Sequence, residues 1–259
     1  MALIAMAVYS TEENGKNEYL DKTLQSLEET VDFTKHRLIL SVNAYTAETL
    51  LIFRRFKGMF ELIFNKENLG TAEAINLAWK DQWPGENLIK MDDDVVINVN
   101  GWVDRMEEAI QRDPTIGQCG LKRRDCTETP WNPDPFYKSK LEMLPHSPGE
   151  KWIVVEEVSH VMGTCVMHSA ALLHKVGYLY QPKLYGFDDS FMSLRSRIAG
   201  FRNVFLPGID IEHIDRGDTG FQKWKEKHAG ECWQEYMQVV RDYTSGKKSV
   251  YYNPFENDK

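Results

Sequence analysis

Through the first hundred residues, short apolar runs alternate with segments whose apolar positions recur at helical spacing. This is the pattern of a parallel sheet wound by crossover helices. Residues 3–9, Leu-Ile-Ala-Met-Ala-Val-Tyr, predict a buried first strand. A polar loop with Asn14-Gly15 follows, then a helix from about Glu18 with Leu20, Leu24 and Leu27 on one face. Strand two is 37–42, a helix over 46–56 carries Leu50, Leu51, Phe53 and Phe56, and strand three is 60–64. Residues 71–79 read as a helix with Ala72, Ile75, Ala78 and Trp79 on one face, and strand four, 88–91, ends in three consecutive aspartates.

Beyond that point the alternation loosens. A helix near 101–112 leads into Ile116-Gly117-Gln118-Cys119-Gly120, after which Pro130, Pro133, Pro135, Pro145 and Pro148 mark an irregular stretch too long for an inert loop. Strands resume at 152–155 and near 161–167, followed by a helix near 169–176, a helix at 188–199 and a strand at 204–206. From 218 to 243, Phe221, Trp224, Trp233, Tyr236, Met237 and Val240 fall at helical spacing, which predicts a helix packed on the body.

At 259 residues, with 42% apolar and 27% charged residues, the chain has ordinary globular composition and length for a substantial core. The formal net charge of −8 gives no global attraction to nucleic acid or anionic lipid. Cys119, Cys126, Cys165 and Cys232 form no C-x-x-C pair and no zinc spacing, which favours a reduced, cytoplasmic setting. The N-terminal apolar run is short, lacks a basic leader and reads as a strand, not a signal peptide. No apolar stretch is long enough to span a membrane.

Asp92-Asp93-Asp94 is the most informative stretch. Ligands of open α/β sheets bind outside the carboxyl ends of the strands. Adjacent carboxylates repel unless a cation offsets them, and a divalent ion held by one or two carboxylates plus substrate phosphates does so. A solvated acidic turn or a helix N-cap remains the alternative. The nearby Asn98-Val99-Asn100-Gly101 is no calcium loop, because Val96 stands where its first Asp is required. No G-x-x-x-x-G-K-[ST], H-E-x-x-H or G-x-S-x-G motif occurs.

Several segments in order resemble family 2 of the GT-A-fold glycosyltransferases. Asp92-Asp93-Asp94 resembles the D-x-D signature, and Asn68-Leu69-Gly70-Thr71-Ala72-Glu73-Ala74-Ile75-Asn76 the element that precedes it. Gly163-Thr164-Cys165-Val166-Met167 with Val176-Gly177-Tyr178 resembles the acceptor-side segment. Residues 185–195, Tyr-Gly-Phe-Asp-Asp-Ser-Phe-Met-Ser-Leu-Arg, resemble E-D-x-D-L-x-x-R, while Gly200-Phe201-Arg202, Leu206-Pro207 and His213 fit the ending. The resemblance covers roughly residues 3 to 215. It implies a Rossmann-like GT-A fold, a mostly parallel central sheet with helices on both faces, in a transferase domain 1–217 with a nucleotide-binding half 1–100 and an acceptor half 101–217. The helical spacing beyond it adds a packed C-terminal helical tail, 218–259.

The same resemblance implies transfer of a hexosyl or pentosyl group from a nucleotide-diphosphate sugar to a hydroxyl, with inversion and with Mn2+ or Mg2+. Asp94 would bind the metal, Asp92 the metal or the ribose, and His213 would be a further ligand; Asp189 would be the general base. Tyr9, Ser10, Thr11, Asn43, Asn68, Gly70, Asn76 and Asp93 would lie on the donor side, and Trp131, Gly163, Thr164, Asp188 and Arg195 on the acceptor side. Trp152 is a further aromatic suited to a sugar face. Each has a structural alternative: Asp188 and Asp189 as helix caps, Tyr9 and the tryptophans as core, Arg195 as partner of the aspartates, Asn76 as a loop tie. This chain departs from the family pattern at Asn43 (for Asp), Ile75 (for Arg), Asp188 (for Glu) and Phe191 (for an acid), so the donor's base stays open. A soluble glycan, a protein, a small molecule or a modified nucleic-acid base all remain as acceptors. A nucleotidyltransferase of related fold and a non-catalytic sugar- or metal-binding module are the competing readings.

Overall fold

A strand apolar at every position is buried on both faces, and β1 (Ala2–Tyr9) is. In the computed structural model, which describes residues 1–124, 139–215 and 220–256, its alternate side chains enter two different cores. Ala2, Ile4, Met6 and Val8 pack against α1 (Asn17–Thr30), α2 (Ala47–Arg55) and α4 (Trp102–Arg112) through Leu20, Leu24, Ile52, Phe53, Trp102 and Met106. Leu3 and Ala5 face α3 (Gly70–Trp79), α5 (Ala170–Val176) and α6 (Asp188–Ile198) through Ile75, Trp79, Leu172 and Met192. Helices thus cover both faces of the sheet, as expected.

The remaining strands are β2 (Arg37–Ala44), β3 (Glu61–Phe64), β4 (Asn87–Met91), β5 (Val95–Val96), β6 (Ile116–Arg123), β7 (Lys140–Met143), β8 (Val154–Glu157), β9 (Cys165–His168) and β10 (Arg202–His213). Their order is β3-β2-β1-β4-β9-β6-β10-β8-β7, with β5 paired to β10. The first four run parallel, and so do β6 and β10. β9 lies antiparallel between β4 and β6, pairing Cys165 with Met91. Because β9 enters from the opposite direction, residues 163–164 arrive at the carboxyl end of β4, beside the aspartates.

Four sequence expectations are corrected. The strand near 161–167 starts only at Cys165, since the preceding residues form the loop that meets Asp92. The strand at 152–155 is β8 at Val154–Glu157, and its partner β7 occupies part of the supposed irregular stretch. The strand at 204–206 is instead a twelve-residue β10. Pro207 lacks an amide donor but falls inside a register shift between Leu206 and Asp210, where the ladder does not need one. In the C-terminal helix α7 (Gly220–Thr244), Trp233 and Met237 are exposed, while Cys232, Val239 and Tyr243 are buried. Trp131 and Cys126 lie outside the described residues, as do the side chains of Phe221 and Trp224.

α7 packs on α6: Val239 and Tyr243 join Phe191, and Tyr236 stacks on Phe187 at 4.3 Å and 24°. Phe187 caps α6 with φ 67°, the only non-glycine residue at positive φ among those described. For a bulky side chain that conformation is strained and must be held by its surroundings. The ring stacking holds it, and the next two residues are Asp188 and Asp189.

Candidate active site

The site forms where β4 ends. Asp92 donates its N–H to the Thr164 carbonyl at 3.0 Å, and Ile214 donates to the Asp94 carbonyl at 2.9 Å. From α1, Thr23 Oγ1 donates to the Asp93 carbonyl (3.1 Å) and accepts the Val95 N–H (3.0 Å), fixing the aspartate turn. The Tyr9 N–H, at the end of β1, points at Asp93 Oδ2 (3.5 Å). The ladder between β5 and β10 sets His213 opposite Val95, one residue from Asp94. One ligand atom each from Asp92, Asp94 and His213 then lies within 4.8 Å of the others. His213 Nε2 lies at ion-pair distance, 3.3 Å, from Asp94 Oδ1, and neither that buried oxygen nor His213 Nδ1 has a well-aligned hydrogen-bond partner. Two carboxylates and an imidazole with a buried, unsatisfied oxygen fit a divalent ion such as Mn2+ or Mg2+.

Two buried lysines supply the cations that three adjacent carboxylates need. Lys16 Nζ, just ahead of α1, is 2.6 Å from Asp94 Oδ2, 3.2 Å from Asp215 Oδ2 and 3.9 Å from Asp93 Oδ1. Lys90 Nζ, inside β4, donates to the Gly163 carbonyl at 2.8 Å and lies 3.2 Å from Asp92 Oδ1 and 3.4 Å from Asp188 Oδ2. Burial alone would discharge both, but the surrounding carboxylates outweigh it and raise both ammonium pKa values well above normal. Asp94 is buried too, yet His213 and Lys16 hold it well below the usual carboxylate range. Asp93 goes the other way, pushed up to about 7 by burial against the pull of Lys16, with Asp94 and Asp92 adding repulsion.

Across Lys90 stands the second carboxylate pair. Asp189 Oδ2 accepts the Gly163 N–H at 3.1 Å and lies 3.5 Å from His160 Nε2, while Oδ1 accepts the Ser190 N–H at 2.7 Å. Burial would raise its pKa, but His160, Lys90 and the Gly163 amide prevail and keep it low. Asp188 is raised by burial, partly countered by Lys90. Gly163 leaves room for this contact: a Cβ there would stand 2.5 Å from Lys90 Nζ and 3.2 Å from the Asp189 Cβ, so a side chain would displace the ammonium. One buried ammonium therefore touches both the aspartate turn and the α6 carboxylates, so the two halves of the site adjoin.

The other expected residues are placed as follows. Ser10 is buried with Oγ unpartnered, and Thr11 closes a turn with Asn14. Asn43 spends its amide on the 65–70 loop, donating to the Gly70 carbonyl and accepting from Asn65 and the Leu69 N–H. Asn68 accepts the Gly70 N–H, and a Cβ on Gly70 (φ 77°) would meet the Leu184 backbone at 2.5 Å. Asn76 exchanges two hydrogen bonds with the Leu179 backbone, tying α3 to the chain after α5. Arg195 is fully buried, and its guanidinium serves the carbonyls of Val250, Tyr178 and Val176. It anchors the C-terminal segment and does not join Asp188 and Asp189. Trp152 is exposed beside His146.

Sequence reasoning missed Lys16, Lys90, His160 and Asp215. Only Lys90 carried a signal, as a charge inside the apolar run 88–91. The others reach the site through turns whose course the sequence does not announce.

The fold has counterparts among solved structures. A mannosyltransferase from Pyrobaculum calidifontis, in complex with GDP-Man and Mn2+, superposes with a TM-score of 0.68 at 17% identity, covering 93% of this chain and 64% of its own. GalNAc-T7 with UDP, GalNAc and Mn2+ gives 0.62 at 14%, covering 83% and 44%. S. aureus TarS residues 1–349 give 0.56 at 16%, covering 82% and 60%. At these identities the likeness is one of fold, and the chain spans less than two thirds of each of those structures. No curated protein matches the sequence significantly. The sequence signature described as "Glycosyl transferase family 2" matches residues 5–177, two thirds of the chain and every element from β1 to α5, and on that match the chain belongs to glycosyl transferase family 2.

Proposed function

We propose that this chain is a metal-dependent, inverting glycosyltransferase that moves a sugar from a nucleotide-diphosphate donor to an acceptor hydroxyl. The observation that carries the reading is the adjacency of two unlike carboxylate groups. Asp92, Asp94 and His213 lie close enough together at the end of β4 to hold a cation, and Lys90 links Asp92 to Asp188 and, through Gly163, to Asp189. A divalent ion held by Asp92, Asp94 and His213 would act as a Lewis acid on the leaving diphosphate.

The chain's own residues do the rest. Asp189 is kept ionised and is fixed through both oxygens by the Gly163 and Ser190 amides, so it is oriented to take the proton of an attacking hydroxyl. Direct attack assisted by one base is a single displacement and inverts the anomeric centre. Lys90 donates to the carbonyl of Gly163, the same residue whose N–H binds Asp189. The ends of β1 and β2 and the 65–70 loop would receive the nucleoside. Among the described residues no helix is long and apolar enough to cross a membrane, so α7 offers no spanning anchor.

The test is a melting-temperature screen of nucleotide sugars with and without Mn2+, followed by a donor-hydrolysis and transfer assay on any hit. A donor that stabilises the protein only with the metal present, and is then turned over, is the expected result. Full turnover in excess chelator would remove the metal from the reading. Stabilisation without turnover, with any acceptor class, would leave a binding module.

A further inference from the structure

Lys16 has a place in the site that a helix-capping residue does not need. Its backbone carbonyl accepts the Tyr19 and Leu20 amides at 3.1 and 3.0 Å, a service any residue could give. Its side chain is 6% exposed, and its ammonium is shared among Asp94, Asp215 and Asp93. Asp94 belongs at once to that trio and to the cation trio with Asp92 and His213. An ammonium and a divalent ion on one buried carboxylate repel strongly, because little water screens them. Asp215, 3.2 Å from the ammonium and outside the cation trio, offers Lys16 a second partner within the same pocket.

We propose that Lys16 is a resident counter-cation: it satisfies Asp94 in the ligand-free protein, keeps affinity for the divalent ion low, and so makes the ion bind together with the donor's diphosphate. The inference rests on the metal-dependent reading above. The physical logic is charge balance. A divalent ion alone would crowd a site already served by Lys16, whereas a diphosphate arriving with it brings negative charge for both cations. With an ion held by Asp94, the Lys16 ammonium would turn toward Asp215 and the phosphates. Metal and nucleotide would then bind, and leave, as a unit.

The experiment measures protein-bound Mn2+ by equilibrium dialysis across a membrane that passes Mn2+ and pyrophosphate but retains the protein, with and without inorganic pyrophosphate. Wild type is compared with Lys16→Gln, which removes the charge, and Lys16→Arg, which keeps it. Wild type and Lys16→Arg should bind Mn2+ weakly alone and at least about tenfold more tightly with pyrophosphate. Lys16→Gln should bind Mn2+ alone about tenfold more tightly than wild type and gain less from pyrophosphate than wild type does. Equal Mn2+ affinities in wild type and Lys16→Gln would overturn the role of Lys16 and leave the metal site standing. If Lys16→Gln fails to fold, wild type decides: no tightening by pyrophosphate overturns the proposal. A wild type that binds no Mn2+ even with pyrophosphate would defeat the metal-dependent reading itself.

Discussion

Replacing Arg195 by Met should unfasten the C-terminal segment from α6 and destabilise the whole protein. The guanidinium is fully buried and donates to the carbonyls of Val250, at 2.6 Å, Tyr178, at 2.8 Å, and Val176. Burial lowers its pKa to about 10, with Tyr243 and Tyr252 opposing, so it stays charged at neutral pH. Methionine keeps much of the stem and removes the charge. The Val176 carbonyl would still accept the Tyr252 N–H at 2.9 Å, which leaves the Tyr178 and Val250 carbonyls to lose this charged donor. An orphaned buried acceptor costs about 1–3 kcal/mol, and relief of the arginine's own desolvation offsets part of the total. The net expectation is a loss of about 2–5 kcal/mol. For a chain of this size that is a fall of roughly 4–20 °C in melting temperature. Urea unfolding followed by tryptophan fluorescence reads it, and limited proteolysis should cut near residues 245–250 first. A variant within about 0.5 kcal/mol of wild type would refute the view that Arg195 is the anchor. The functional corollary is that donor and metal binding should suffer less than transfer, because the other end of α6 carries Asp189 and the aspartate turn is held by α1 and β10 instead.

Three further outcomes are expected. Asp189→Asn keeps an oxygen for the Gly163 amide but removes the proposed base, so transfer should fall about 10²–10⁴-fold while metal-dependent donor affinity by calorimetry stays near wild type; wild-type turnover would reduce Asp189 to a tie between the first turn of α6 and Gly163. Asp94→Asn should do the reverse and weaken Mn2+-dependent donor binding first, with the fold intact by circular dichroism; undiminished affinity would move the metal elsewhere. His168 is pushed down to about 3 from 6.5 by burial, with Lys90 and Arg195 adding to it. Between those values the unfolded chain binds a proton that the folded one does not. Stability from this group is therefore full above about 6.5 and lost as pH falls toward 3, at about 1.4 kcal/mol per pH unit. His168→Gln should flatten that acid slope in urea titrations, and an unchanged difference between pH 5 and pH 7 would count against it.

Much of the architecture was legible before any coordinates. Apolar runs at 3–9, 37–42 and 88–91 are buried from both sides, so they must be central strands, and the periodic faces of α1 and α3 follow from the same burial. The three aspartates after β4 stand where strand order places ligands, and the family motifs located Asp189 and His213 along the chain. These are local signals, written in spacing and residue type. The tertiary structure decided what depends on strand direction and on loops. The antiparallel entry of β9 brings Gly163 and Thr164 to Asp92, and the bulge past Pro207 lets β10 run on until His213 meets Asp94. It also turned Arg195 inward, and it set Lys16 and Lys90 among the carboxylates. A charged residue in the sequence shows no partner; only the fold, by excluding water around it, determines which opposite charge it must find.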